Sequence, residues 1–211
     1  MTAQITRREA LTALATTTVA AGVTMASTPS AASVQTGVSA PEFTATDSKG
    51  AQRTLAGYRG KTVILEWTNH ECPYTVKHYT TGNMQALQRA ATDTGTIWLT
   101  VVSSRPGTQG FVEGLEADRL TDERNARPAA VLLDPKGDLG RLYGARTTPH
   151  MYIIDRNGML VYMGAIDDQP SANPATVKRA RNYVREALDA MAAGRPIAVA
   201  STRPYGCSVK Y

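Results

Sequence analysis

Three short apolar runs recur along the middle of the chain, and a helical or loop segment follows each of them. The runs are KTVILEWTN at 61–69, TIWLTVVSS at 96–104 and AAVLLD at 129–134. Nearly continuous apolar runs of this length, rich in β-branched residues, indicate strands that are buried on both faces. Strands that alternate with helices predict an α/β fold with a central mixed sheet flanked by helices.

Antiparallel strands are expected at both ends of this pattern. Residues 41–55 contain two short extended pieces around Ser48, Lys49 and Gly50, which predicts an N-terminal β-hairpin. HMYIID and LVYMGAID flank the turn RNG and predict a second hairpin near the end of the domain.

The last helix is expected to be continuous. Asn173 can cap it and Pro174 suits its first turn, while Gly194 and then Pro196 end it. We therefore predict one domain over residues 41–195, followed by a C-terminal tail over residues 196–211.

The first 32 residues have the order of a twin-arginine export signal. Arg7 and Arg8 precede a mildly apolar stretch over residues 10–26, and a small-residue run ends at Ala31 and Ala32. The alternative is a disordered or anchoring N-terminus, because arginine pairs are common. With residues 33–40 as a linker, the signal predicts a periplasmic or otherwise extracytoplasmic protein with no stable membrane insertion after cleavage.

The charge pattern argues against nucleic acid as a partner. The formal net charge is +5, but charges of both signs alternate along the chain and no block of basic residues is present. A groove for nucleic acid needs clustered lysine and arginine, often with interleaved aromatic residues.

Cys72 is a candidate nucleophile because of its position between a strand and a helix. It follows the run at 61–69 and directly precedes Pro73, which fits the first turn of a helix. Unsatisfied N–H groups at a helix N-terminus stabilise a thiolate, and such settings lower a cysteine pKa from about 8.5 to between roughly 3.5 and 7.5. Glu71 is expected to limit this effect. The alternative is a buried structural cysteine.

A second signal is Thr148-Pro149, which stands directly before the strand HMYIID. A proline at that point removes one hydrogen-bond donor from the sheet, so either a cis peptide bond or an ordinary trans turn is compatible with it.

Three stretches together resemble the redoxin group of thioredoxin-like proteins, related to the alkyl hydroperoxide reductase and thiol-specific antioxidant family. They are GKTVILEWTNHECPYTVKHY, LLDPKGDLGRLYGARTTPHMYIIDRNGMLVYMGAIDD and TRPYGCSVKY, and the likeness extends over roughly residues 38–211. The resemblance implies a thioredoxin-like fold with Cys72 as the redox-active cysteine. It also implies that Thr148-Pro149 is a cis-proline loop that contacts substrate backbone.

The sequence departs from the pattern of this group in two places. Thr75 stands where a thioredoxin pair has its second cysteine, and Asn69 stands where a peroxiredoxin has the threonine of Thr-x-x-Cys. We expect the Thr75 hydroxyl to hydrogen-bond the Cys72 sulfur in place of the missing thiol. The sequence therefore lacks the threonine of the usual peroxide-activating arrangement.

Cys207 is the second cysteine of the chain and lies in the tail between Gly206 and Ser208, in a segment expected to move. A folded-back tail would bring its sulfur to Cys72, provided that the Cα atoms come within about 7 Å. The resulting disulfide would be either catalytic, with Cys207 as the resolving cysteine, or a permanent staple. A free Cys207, or one that pairs between chains, is the remaining alternative.

The three histidines lie in the same segments. His70 and His150 are expected at the rim of the site, as is Tyr74, whereas His78 is about 240° around the helix from Cys72 and faces elsewhere. His70 and His150 would tune the thiolate or donate a proton, and we expect no resident metal or other cofactor.

These observations predict an exported thiol oxidoreductase. Its substrate would be a peroxide or a protein disulfide, and an external thiol would return the oxidised enzyme to its reduced form. The alternative is a non-catalytic thioredoxin-like module, either for partner binding or for copper transport, stapled by a Cys72–Cys207 disulfide.

Overall fold

A seven-stranded mixed sheet forms the middle of the fold in this computed structural model, which describes Met1, Thr2 and residues 34–211. The described residues from 34 onward belong to one compact unit. The expected signal at 1–32 and its cleavage site lie outside the described residues, apart from Met1 and Thr2.

The elements follow the predicted alternation. The strands are β1 (Thr44–Asp47), β2 (Gln52–Thr54), β3 (Val63–Trp67), β4 (Ile97–Val102), β5 (Ala130–Leu133), β6 (Thr147–Thr148), β7 (His150–Ile154), β8 (Leu160–Gly164) and β9 (Cys207–Ser208). The helices are α1 (Pro73–Thr80), α2 (Asn83–Asp93), α3 (Gly114–Glu123), α4 (Asp138–Tyr143) and α5 (Tyr183–Ala192), with short 3-10 helices at Ala56–Tyr58 and Pro174–Arg179.

The strand order in the large sheet is β2-β1-β5-β4-β3-β7-β8. β4 is parallel to both β3 and β5, as the three apolar runs predicted. The two hairpins, β1–β2 and β7–β8, are antiparallel and occupy opposite edges of the sheet. The predicted mixed sheet flanked by helices, with an N-terminal hairpin, is confirmed.

β3 is buried on both faces and separates two hydrophobic cores. Leu65 and Trp67 point into one core, together with Tyr143 and Tyr152. Ile64 points into the other core, where helices α2 and α5 cover the sheet. All five residues of β3 are buried, which explains why its sequence is continuously apolar except for Glu66.

Residues 34–40, expected to be a linker, lie along the β7–β8 hairpin. The N–H of Gly37 donates to Leu160 O at 2.8 Å, and the N–H of Ala40 donates to Gly158 O at 2.9 Å. None of the helices among the described residues is long and apolar enough to cross a membrane.

The segment expected to form one long terminal helix is broken in two. Asn173 caps the 3-10 helix as predicted, accepting the Ala175 N–H at 3.0 Å. The backbone then becomes extended at Ala180, and Asn182 begins α5 by accepting the Arg185 N–H at 2.9 Å. The prediction of a continuous helix is therefore wrong, because a second capping asparagine competes with helix continuation.

A broken helix and a continuous helix predict opposite effects of Asn182→Ala on the stability of the protein. As an N-cap, Asn182 satisfies one N–H of α5, and its replacement should lower the free energy of unfolding by about 1 kcal/mol. In a continuous helix the same change would stabilise the protein, since alanine is the better helix former. Urea unfolding of the wild type and the variant distinguishes the two signs. Asn173→Ala, at the exposed cap of the 3-10 helix, is the matched control.

Candidate active site

Cys72 lies at the junction of β3 and α1, as the sequence predicted. It is the N-cap residue of α1, and Pro73 occupies the first turn of the helix. The Cys72 side chain has 0% exposed surface. The thiol is therefore buried at the N-terminal end of a helix, where backbone N–H groups favour its ionised form.

The loop before β7 borders Cys72 on one side. The Thr148-Pro149 peptide bond is cis. The sequence alone was compatible with a cis or a trans bond, and the family resemblance implied the cis form. The Cys72 thiol donates to the Thr148 carbonyl oxygen, with a sulfur–oxygen distance of 3.0 Å. Thr148 is itself buried, so this contact is shielded from water.

The C-terminal tail, residues 196–211, folds back over the same loop. Its strand β9 pairs antiparallel with β6, and Cys207 is the register partner of Thr148. Because Thr148 contacts Cys72 as well, the two cysteines meet at this residue. Both thiols are free in the structure.

Hydrogen bonds hold the tail on the N-terminal side of Cys207. Thr202 Oγ1 accepts from the Ala165 N–H and lies within hydrogen-bond distance of the Tyr162 hydroxyl, both at 2.9 Å. Main-chain bonds join Met163 to Ala200 and Thr202 at 3.1 Å each.

The tail is held equally well on the C-terminal side. The N–H of Val209 donates to Arg146 O at 3.1 Å, and Lys210 O accepts from the Arg105 N–H at 2.9 Å. The Tyr211 hydroxyl donates to Ala145 O at 2.6 Å. The tail is thus fixed on both sides of Cys207, whereas the sequence suggested a mobile segment.

A buried charged cluster joins the tail to α1. Lys77 Nζ donates to Gln169 O at 2.8 Å and lies 3.8 Å from Asp167 Oδ1. The Tyr205 hydroxyl donates to the same Asp167 oxygen, and His78 Nε2 lies 3.9 Å from the other. Burial lowers the pKa of Lys77, and burial together with Lys77 lowers the pKa of His78 to about 3. The tail therefore supplies, through Tyr205, a hydrogen bond that a buried carboxylate needs.

Tyr205 also packs against the helix that begins after Cys72. Its ring meets the Tyr74 ring at 5.9 Å between centroids, and Lys77 Nζ lies 5.0 Å from its centre. Tyr74 thus lies beside the tail. An open cleft of about 640 Å³ runs along this contact, lined among others by Tyr74, Thr147, Arg203 and Gly206.

The two thiols have opposite acidities. Burial acts to raise the pKa of Cys72, but hydrogen bonds from the Cys207 thiol and N–H, from the Thr148 side chain and from the Thr75 N–H outweigh it, so the pKa is lowered. Burial and the neighbouring Cys72 sulfur raise the pKa of Cys207 to about 11. Cys72 is therefore the sulfur that ionises first, with Cys207 as its protonated neighbour.

Thr75 and Glu71, two neighbours of Cys72 in the sequence, have the following contacts. The Thr75 hydroxyl is buried without a hydrogen-bond partner, so its expected bond to the sulfur is not formed. The Glu71 carboxylate, which was expected to limit ionisation of Cys72, accepts the Gly110 N–H at 2.6 Å. Glu71 is thus held by the neighbouring loop.

None of the three histidines is a hydrogen-bond partner of the Cys72 sulfur. His150 Nδ1 lies 3.1 Å from the Tyr152 hydroxyl and the two rings pack at 4.5 Å, while Nε2 is buried without a partner. Burial, with a smaller effect of Arg146, lowers the pKa of His150 to about 3. His70 is partly buried, and its pKa is lowered by that burial. His78 faces Asp167 and Tyr205 in the charged cluster.

Metal-ligand geometry is missing from the part of the chain that the structure describes. No group of three or more His, Cys, Asp or Glu side chains there is arranged to hold a metal ion.

Residues 36–163 of the chain match the family of known proteins described as AhpC/TSA. The chain belongs to the AhpC/TSA family. The match includes Cys72 and the Thr148-Pro149 loop but ends before the tail, so Cys207 is not part of it.

Solved structures share the fold of this AhpC/TSA protein. An uncharacterised conserved protein from Geobacillus kaustophilus is 24% identical, with a TM-score of 0.72, covering 84% of this chain and 92% of that one. A hypothetical protein from Sinorhizobium meliloti 1021 is 23% identical, with a TM-score of 0.67, covering 85% of this chain and 96% of that one. No curated protein matches the chain.

A third structure carries a functional description. It is a protein from Chlorobium tepidum assigned as the thiol:disulfide interchange protein DsbE. It is 25% identical, with a TM-score of 0.50, covering 62% of this chain and 85% of that one. The thioredoxin-like fold that the resemblance implied is confirmed.

Three residues of the site escaped the sequence analysis: Lys77, Asp167 and Tyr205. No local pattern singles out Lys77 in the helix after Cys72, and Asp167 is the last residue of the segment LVYMGAID. The one signal in the sequence was that Tyr205 is an aromatic residue two positions before Cys207. Its hydrogen-bond partner, Asp167, lies far from it in the sequence.

Gly206 controls how closely the tail approaches Cys72. Its φ is +142°, and a Cβ there would collide with the Thr148 carbonyl oxygen. Backbone strain of this kind costs about 1–3 kcal/mol before the collision is added. Gly206→Ala should therefore loosen β9 from β6 and raise the rate of Cys72 alkylation by iodoacetamide by roughly tenfold or more.

Peptide mass spectrometry of the reduced protein gives this rate. Gly158→Ala is the matched control, because its φ is +82° but a Cβ there meets no atom within 4 Å. Equal alkylation of Cys72 in both variants would mean that the tail does not shield it.

Proposed function

We propose that this protein is a thiol oxidoreductase in which Cys72 and Cys207 cycle between dithiol and disulfide. The observation that carries the proposal is the pairing of Cys207 with Thr148, the residue whose carbonyl oxygen accepts from the Cys72 thiol at 3.0 Å. Cys207 takes the role of the second cysteine that Thr75 replaces in the helix.

Membership of the AhpC/TSA family and the Chlorobium tepidum neighbour support thiol chemistry of this kind. The lowered pKa of Cys72 supports it as nucleophile, because the thiolate is the reactive form. The raised pKa of Cys207 keeps it protonated while Cys72 makes the first attack, and Cys207 has to lose its proton for the second step.

With a disulfide substrate, the Cys72 thiolate attacks one sulfur and expels the other as a thiolate. Cys207, after losing its proton, then attacks the Cys72 sulfur and releases the second half of the substrate. With a hydroperoxide, Cys72 takes one oxygen, becomes a sulfenic acid and releases an alcohol or water. Cys207 condenses with the sulfenic acid, and a water molecule leaves.

Burial of Cys72 bears on which substrate can reach it. A sulfur with 0% exposed surface requires only a small opening to meet a hydroperoxide, but a protein disulfide would have to displace the tail. The buried Thr75 hydroxyl has no hydrogen-bond partner and supplies a donor for a peroxide oxygen. Asn69 stands where peroxiredoxins have a threonine, which weakens the case for a hydroperoxide substrate. The experiment below therefore tests both a hydroperoxide and a protein disulfide.

A second candidate is a non-catalytic module with a permanent Cys72–Cys207 staple. The fixed tail and the complete burial of Cys72 favour this candidate, because a reductant has little access to a buried disulfide. A structural disulfide of this kind resists reduction by glutathione. Equilibration of the oxidised protein in glutathione buffers separates the candidates. A reduction potential of the Cys72–Cys207 disulfide below about −300 mV identifies a structural staple, and a higher reduction potential identifies an exchanging pair.

The extracytoplasmic location is also part of the proposal and rests on the sequence of residues 1–32. Export would place the cysteine pair in a compartment where disulfides persist.

Turnover of the two cysteine variants tests the catalytic roles. Cys72→Ser should abolish reduction of both cumene hydroperoxide and an insulin disulfide in the presence of dithiothreitol. Cys207→Ser should instead accumulate a Cys72 sulfenic acid or mixed disulfide, seen by intact mass after one equivalent of substrate. Full turnover in Cys72→Ser would contradict the proposal, and the substrate that oxidises the wild type within seconds is the assigned class.

Export is tested by replacing Arg7 and Arg8 with lysine in the full chain. In a host that has twin-arginine export, the double variant should stay in the cytoplasm while the wild type reaches the extracytoplasmic fraction. Blotting of cell fractions gives the result. Export of both chains would exclude the twin-arginine route.

A further inference from the structure

A second open cleft, the far cleft, lies at the end of the sheet remote from Cys72. It has a volume of about 890 Å³ and is lined among others by Thr62, Thr96, Arg156 and Arg195. Thr62 and Thr96 directly precede β3 and β4, whereas Cys72 follows the other end of β3. Since β3 has five residues and a strand rises about 3.3 Å per residue, roughly 16 Å of strand separates the two ends. The far cleft is therefore distinct from the cysteine pair, and the proposed function does not use it.

The floor of the far cleft is apolar. Its side chains come from β8, from α5 and from the segment after α5, and they are Val161, Leu188, Met191 and Ile197. All four are only partly buried, and all four pack against the hydrophobic core that α2 and α5 cover. Removal of such a surface from water by a ligand is favourable. The volume is also within the range of roughly 300–1,000 Å³ found for small-molecule sites, which combine an apolar lining with a few polar groups.

Two unpaired arginines complete the lining. Arg156 follows β7 in the turn of the β7–β8 hairpin, and Arg195 follows α5, so separate elements bring two cations to one cleft. Both residues are exposed, and neither guanidinium has a hydrogen bond or an ion pair with any described residue. Glu186 and Asp189 border Arg195 on its other side, but neither forms an ion pair with it. A guanidinium presents a planar set of N–H donors that matches a carboxylate.

Asp155 is the one acidic residue in the described lining of the far cleft. Its Oδ1 atom accepts the N–H groups of Asn157 and Met159 at 2.8 and 2.9 Å. This carboxylate is thus engaged by the hairpin turn, and the two free cations outnumber it. Charge complementarity therefore favours an anionic group at the arginines.

We propose that the far cleft binds a free single-chain amphiphile with an anionic head, of the class of a fatty acid carboxylate. The apolar chain lies on the floor formed by Val161, Leu188 and Met191, and the carboxylate accepts N–H donors from Arg156 and Arg195. A neutral apolar ligand would leave both arginines without a partner, and a small anion would leave the floor in water. The two surfaces together select a molecule that has both parts.

Fluorescence titration of the full-length protein with cis-parinaric acid tests the proposal, because this fatty acid fluoresces more strongly in an apolar environment. We expect saturable binding of one probe molecule per chain. Dodecanoate should displace the probe. Dodecanol, which has the same chain length and no charge, should compete at least about tenfold more weakly, since hydrogen bonds to a charged group contribute more than that factor to affinity.

Variants of the lining separate the far cleft from other apolar surfaces of the chain. The double variant Arg156→Gln/Arg195→Gln should weaken binding of the probe by about tenfold or more. Arg179→Gln is the matched control, because Arg179 is an exposed arginine without a side-chain partner and lies outside the far cleft. It should leave the affinity unchanged. Met191→Gln, which makes the floor polar at a similar side-chain size, should weaken the binding of dodecanoate and dodecanol alike.

Several results would overturn the proposal. Equal affinities for dodecanoate and dodecanol would exclude an anionic head, and an unchanged affinity in the double arginine variant would exclude the far cleft as the site. Absence of probe binding by the wild type would exclude a free amphiphile. Sedimentation of that protein with phosphatidylglycerol vesicles would then identify a membrane surface as the occupant instead.

Failure of this inference is distinguishable from failure of the proposed function. Because the far cleft is remote from Cys72, the double arginine variant should reduce the substrate of the wild type at an unchanged rate. Loss of probe binding with full turnover therefore concerns the far cleft alone.

Discussion

The antiparallel pairing of Cys207 and Ser208 with Thr147 and Thr148 is the contact on which the arrangement of the site depends. Thr148 faces Cys72 through its carbonyl oxygen and faces Cys207 through the register of the short sheet. Such a close approach of two backbones requires a residue without a Cβ, and Gly206 supplies it. One loop thereby brings together two cysteines that are far apart in the sequence.

This pairing covers only two residues on each strand, so the rest of the tail must supply the stability. Much of it comes from the cluster around Asp167, a buried carboxylate whose partners are Lys77, Tyr205 and, at a longer distance, His78. Buried charges are costly unless they are paired and hydrogen-bonded, and loss of one partner leaves the others exposed to that cost. Removal of the tail would take the Tyr205 hydroxyl away from Asp167, so the cluster favours the docked tail.

The same arrangement resolves a conflict at Cys72. Burial opposes ionisation of a thiol, and a thiol that cannot ionise is unreactive. Here the tail that buries Cys72 also brings N–H and S–H donors to it, and the pKa is lowered in spite of burial. Protection from solvent and activation of the sulfur therefore have one structural source.

The sequence by itself determined the alternating strands and helices, the helix that begins after Cys72, the loop at Thr148-Pro149 and the presence of a second cysteine in the tail. These follow from hydrophobic period, from proline and glycine positions and from residue type, all of which act over a few neighbouring residues. The break before Asn182, the fixed tail, the burial of Cys72, the engagement of Glu71 by Gly110 and the cluster of Lys77, Asp167 and Tyr205 were decided only by the tertiary structure. Each of them depends on a partner that is distant in the chain, and no local pattern specifies which distant group will meet a given side chain.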